Sequence, residues 1–165
     1  LPSPIAGLNI RHHGDFRLGQ TLIVKDDIFI IDFDGDPHIG LVDKRRKLPA
    51  ARDVAGLIRS IDLSVNAALN RALTGASDEQ DRLTAALGEW RERATATFLA
   101  AYREAMTDRR LWPANRQAAD GLLRFFLLDH AFDEVEYELS HRPEGLHAPL
   151  TGLLRILSNE SEAHA

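Results

Sequence analysis

Asp15, Gln20, Asp32 and Asp34 are the residues whose types and spacing bear most directly on chemistry. In the segment HHGDFRLGQ (12–20) the carboxylate of Asp15 precedes the amide of Gln20 by five positions. Downstream, IIDFDGDP (30–37) carries Asp32 and Asp34. A carboxylate on a rigid loop can orient a hydroxyl and take its proton. Gln20 and Asp32 offer an amide and a carboxylate oxygen. Such hard donors suit Mg²⁺, which takes one or two carboxylates and fills its other positions with phosphate oxygens and water. Asp15 also reads as turn chemistry, since Asp after Gly favours tight turns.

The elements that must position these groups follow from patterning. TLIV (21–24) and IFIIDF (28–33) are β-branched and aromatic runs separated by KDD, which predicts a β-hairpin. That hairpin returns the chain and would bring Asp32 back beside Gln20. LNIRHHG is a short strand candidate ending at Gly14, and residues 35–50 read as irregular chain without a later strand. Helical spacing then dominates. Residues 51–73 form one long helix, and TGAS breaks it. Ser77 with Gln80 matches a capping box for a second helix, which runs to the LWPAN break. Residues 115–140 form a third helix stopped by Arg142-Pro143. A short helix over PLTGLLRIL and a frayed tail SNESEAHA close the chain.

Length and composition bound the possibilities. The 165 residues suit one domain with a real core. A net charge of -5 argues against a nucleic-acid footprint. The absence of cysteine excludes disulfides and thiolate metal sites. No apolar run is long enough to cross a bilayer. A cytoplasmic location is compatible with this composition. The chain opens on Leu1 and its one methionine is Met106, so further sequence is expected before Leu1.

Asp15, Gln20 and Asp32-Phe33 stand in the order of the phosphotransfer template of protein kinases, with Gln for the usual Asn. Together with RDVAGLIRSID (52–62) and the late YE…RP (137–143), they resemble the C-terminal lobe of the aminoglycoside-phosphotransferase-like kinases. Within these the pattern is most similar to the maltokinases, often fused to trehalose synthase. The resemblance implies an α+β fold: a mostly helical C-terminal lobe spanning 1–165, with a small β-hairpin carrying the catalytic loop. It implies ATP and Mg²⁺ as cofactors, maltose or a related sugar as acceptor, and maltose 1-phosphate as product. Asp15 would be the catalytic base, with Gln20 and Asp32 as Mg²⁺ ligands. His13 would brace the loop, Asp34 would be an accessory acid, and Asp53 would hydrogen-bond back to the loop. Arg17 stands where the family has His, and would contact a phosphate or simply be tolerated.

The resemblance also implies an N-terminal kinase lobe as partner, because no glycine-rich phosphate loop or nucleotide lysine precedes His13. Another small-alcohol acceptor, and a non-catalytic module packing against a partner such as trehalose synthase, remain alternative readings.

For the acceptor, a helical wheel puts Asp129, Asp133 and Glu136 on one solvated side. Glu134 and Glu138 fall near apolar positions with His130 and Tyr137. By resemblance, Glu134, Tyr137, Glu138 and Arg142 line the sugar site. The competing reading is an intramolecular ion pair such as Glu138 with Arg142. The basic run Lys44–Lys47 reads as a solvated loop or a phosphate or domain contact. Trp90 and Trp112 read as packing residues.

Overall fold

The computed structural model describes residues 8–72, 77–107 and 110–163. The expected linker before Leu8 and the TGAS break lie outside them, as does the side chain of Ser77 with its capping contact.

Residues 21–30 form the expected hairpin. β2 (Thr21–Val24) pairs antiparallel with β3 (Asp27–Ile30), in the register Thr21 to Ile30 and Val24 to Asp27. The loop is two residues, and Lys25 takes its left-handed position at φ 58°. The second strand ends at Ile30, so Asp32 lies just beyond the sheet. Both faces of this hairpin carry exposed apolar side chains, including Leu22, Ile23, Ile28 and Phe29.

The segment 35–50 is more regular than its polar composition suggests. α1 (Leu41–Lys44) is a single helical turn. β4 (Leu48–Pro49) pairs with β1 (Asn9–Ile10), forming a second two-stranded sheet. The partner strand is some forty residues away and only two residues long, so no local alternation marks it.

Three long helices form the body: α2 (Ala51–Ala72), α3 (Ser77–Ala105) and α4 (Arg116–His141). Asn115 caps α4 by accepting from the Ala118 N–H at 2.9 Å. α2 buries Ala51, Val54 and Ala55 against Trp112, Leu122, Leu123 and Phe126. Each large apolar side chain so buried contributes about 1.5–3 kcal/mol. Trp112 is a core residue, whereas Trp90 is half exposed. α5 (His147–Ala163) packs on α2 and α4. It runs six residues further than a tail fraying from Ser158 would allow. The fold is α+β, mostly helical with a small β part. No helix among the described residues is long and apolar enough to cross a membrane.

Candidate active site

The loop after β1 is fastened to the start of α2. The Asp53 carboxylate accepts from the backbone N–H of His13 at 2.7 Å and of Gly14 at 3.0 Å. The buried His13 ring bonds through Nε2 to the Ile31 carbonyl at 2.8 Å, tying the loop to the chain leaving the hairpin. Its ring also packs on Phe33 at 4.8 Å. Leu18 N–H donates to Ser60 Oγ at 3.0 Å. At Gly56 a Cβ would stand 2.8 Å from the Phe16 carbonyl oxygen, so only glycine lets the loop lie this close on α2.

This fastening brings three groups together. The Gln20 amide, buried beneath the hairpin, reaches Asp32 Oδ2 at 2.9 Å and Asp15 Oδ2 at 3.3 Å. Hairpin closure supports the arrangement, with Ile31 N–H donating to the Gln20 carbonyl at 3.0 Å. Asp32 is held at φ 62°, a strained backbone state for a non-glycine residue. Gln20 and Asp32 fit a hard cation that completes its shell with phosphate oxygens. A half-turn of the Gln20 amide presents its oxygen in place of the NH₂, and such assignments exchange freely. No group of three or more potential metal-ligating His, Asp or Glu side chains occurs among the described residues.

Arg17 lies over Asp15, its Nε 3.0 and 3.1 Å from the two carboxylate oxygens. The pair is partly solvated, so its attraction is modest.

On its other side Asp15 borders a cavity of about 340 Å³. Arg17, Arg59, His130, Asp133, Glu134, Tyr137, Glu138 and Arg142 also line it. Glu138 Oε1 accepts from Arg142 at 2.6 Å, while its Oε2 is buried with no partner. The Arg142 guanidinium sits 5.5 Å from the centre of the Tyr137 ring, which stacks on His141 at 4.5 Å. Both Glu134 oxygens are engaged by Arg59. The two carboxylates of the expected sugar wall therefore each carry an intramolecular ion pair, and only Glu138 keeps a free oxygen.

Burial raises the Glu134 carboxyl, with the Arg59 hydrogen bond and charge opposing. Asp133 is also raised, by partial burial and then by the charge of Asp129. Burial lowers His130, whose Nε2 bonds to the Arg52 carbonyl at 3.0 Å.

A second cavity, of about 600 Å³, lies behind the loop and includes Asp34, Lys44, Arg45, Arg46, Asp129 and Asp133. Asp34 thus lines this second cavity and not the one bordered by Asp15, while Asp133 lines both. Asp133 and Glu136 are exposed, as the helical wheel expects, whereas Asp129 is half-buried and lines the second cavity. Part of the basic run lines the same cavity.

Arg59, Gly56, His130 and Asp133 are site residues that spacing alone did not single out. A signal was available for Arg59. It shares the i, i+4, i+7 stripe of Ala55 and Asp62 on the buried face of α2, where a lone charge needs a partner.

A mostly helical α+β body with a hairpin flanked by an Asp–Gln–Asp cluster is an architecture whose structural neighbours are sugar kinases. The chain matches a solved glucosamine kinase in complex with glucosamine, ADP and inorganic phosphate. The TM-score is 0.76 at 25% identity, covering 92% of this chain and 36% of that one. A second crystal form of a glucosamine kinase gives 0.74 at 27% identity, over 88% and 33%. In sequence it is 30% identical over 146 residues to the glucosamine kinase of Mycolicibacterium smegmatis (strain ATCC 700084 / mc(2)155), covering 88% of this chain and 34% of that protein. The glucosamine kinase of Streptacidiphilus jiangxiensis is 30% identical over 145 residues, covering 88% and 31%. No protein-family model matches. The chain thus spans about a third of the length of these relatives.

Proposed function

We propose that this chain is the acceptor-binding, C-terminal lobe of a sugar kinase of the aminoglycoside-phosphotransferase type, working with an N-terminal nucleotide lobe. The observation that carries the reading is that Asp15 stands between two features. On one side are Gln20 and Asp32; on the other is a cavity walled by Asp133, Glu134, Tyr137 and Glu138.

In this reading Asp15 accepts a hydrogen bond from the sugar hydroxyl and takes its proton as that oxygen bonds to the γ-phosphorus of ATP. The bond to the β–γ bridging oxygen breaks, and ADP leaves. Gln20 and Asp32 would hold Mg²⁺, which when bound neutralises phosphate charge. Asp53 and His13 keep the loop rigid. Arg17, beside Asp15, adds positive charge where the phosphoryl group arrives. Most of the rate then comes from positioning and charge stabilisation. The exposed apolar hairpin faces are the surface against which the N-terminal lobe packs.

The acceptor we favour is an amino sugar. The cavity is at the small end of ligand pockets, which run about 300–1,000 Å³. Its carboxylates are largely matched by arginines, and the partnerless Glu138 oxygen suits a protonated amine. The relatives are glucosamine kinases. A neutral disaccharide, giving maltose 1-phosphate, is the second reading, favoured by the Tyr137-Glu138 motif.

The test is turnover by the longer protein with ATP and Mg²⁺ against glucosamine, glucose and maltose. The expected result is preference for glucosamine, weakened by Glu138→Gln. Preference for maltose would establish the second reading, and absence of any sugar turnover would remove both.

A further inference from the structure

Behind the acceptor cavity lies a charge network that the reaction itself does not use. The Arg59 side chain is 4% exposed. Its Nε and Nη2 grip both oxygens of Glu134, and its Nη1 reaches Asp62 Oδ2 at 2.8 Å. Asp62 is held in turn by Arg155 of α5 at 2.7 and 2.8 Å, with Arg91 of α3 at 3.9 Å. α5 approaches closely because residue 152 is glycine. A Cβ there would lie 2.7 Å from Asp62 Oδ2 and run into the Arg59 guanidinium. Four helices thus meet on the Arg59–Asp62 pair, whose guanidinium also lines the cavity.

Such a network is poorly explained by stability alone. Buried ion pairs are often replaceable by apolar groups at little or no loss. What the planar fork supplies is direction: two parallel hydrogen bonds fix the carboxylate's orientation, which a lysine ammonium cannot reproduce. It also neutralises Glu134 at the cavity wall.

We infer that Arg59 is a positioning residue for the acceptor: it sets Glu134 in the cavity wall, and Asp62 and Arg155 anchor it to α5, making α5 part of the acceptor-affinity machinery. The inference rests on the sugar-kinase reading proposed above. Among the described residues Arg59 and Arg155 bond to Glu134 and Asp62 and not to Asp15, Gln20 or Asp32, so the nucleotide side should be insensitive to them.

The experiment compares Arg59→Met, Arg59→Lys and Arg155→Gln in the longer protein. It measures the KM for glucosamine and for ATP, together with glucosamine binding by calorimetry and a thermal melt. Arg59→Met should raise the acceptor KM by about 10- to 100-fold, the scale of a misplaced positioning group. The ATP KM should stay within about twofold. Arg59→Lys should recover only part of the loss, and Arg155→Gln should shift the acceptor KM in the same direction by about threefold. Should Arg59→Met fail to fold, Arg59→Lys and Arg155→Gln decide by the same split. Equal changes in both KM values, or none, would overturn the inference while leaving the kinase reading intact. A wild-type protein that neither binds nor phosphorylates any sugar would overturn both.

Discussion

The 12–18 loop and the hairpin are adjacent in sequence and opposite in character. Residues 12–18 are fastened to α2 at four points, through Asp53 twice, Ser60 and the close approach at Gly56. The hairpin 21–30 has one local ladder and apolar side chains open on both faces. An isolated two-stranded hairpin is marginally stable in water. The difference separates two jobs. Asp15 is held by the helical body and lines the cavity, while Gln20 and Asp32 flank an element that gains from a further covering layer. The proposed reading calls for this division: a rigid acceptor side and a nucleotide side completed by another lobe.

Three perturbations test the contrast. Asp53→Ala acts on the fastened side and should have the largest effect. It strips the carboxylate from two loop N–H groups, and hydrogen bonds to a charged group contribute about 1.5–3 kcal/mol. Urea unfolding should register a loss of that size, with phosphorylation falling further than stability explains. An unchanged midpoint would mean that the loop is held elsewhere.

The second is a pH dependence. Burial holds the His130 imidazole below the usual histidine value of about 6.5. A lowered folded pKa means the unfolded chain binds the proton first. Its contribution is therefore complete above about pH 6.5 and is lost as pH falls through the folded value. Asp133 and Glu134, both raised, act in the opposite sense, favouring the fold once protonated. The histidine part is thus read as the difference between wild type and His130→Gln. Melting curves from pH 7.5 to 5 should converge as the pH falls, and parallel curves would contradict this.

The smallest effect is on the open side. Ile23 is 79% exposed, so Ile23→Lys should change the stability of the 165-residue chain by no more than about 0.5 kcal/mol. In the longer protein the same change should cost clearly more, if a second lobe covers that face. Equal small effects in both would count against the covering layer.

Much of this was legible beforehand. The hairpin and the long helices follow from β-branched runs and from 3.6-residue periodicity. The meeting of Gln20 and Asp32 follows from hairpin closure. The β1–β4 pairing was not legible, because two-residue strands far apart in sequence leave no periodic trace. Nor was the partition of the acidic helix. Glu134 is neutralised by Arg59 from α2, a contact between residues 75 apart that no single helical wheel contains. The wheel does place Asp133 and Glu136 on an exposed side, but it cannot show that the 33–46 segment lies close enough to make Asp129 and Asp133 line a shared cavity.

The central claim is that Asp15 is the base that serves a sugar hydroxyl. Its most direct test is kcat for sugar phosphorylation by the longer protein and its Asp15→Asn variant, with binding of nucleotide and sugar measured alongside. A loss of about 10²- to 10⁴-fold in kcat is expected, with both ligands still bound. Near-normal turnover in Asp15→Asn would contradict it, and the proton acceptor would have to be sought among the other carboxylates of the cavity.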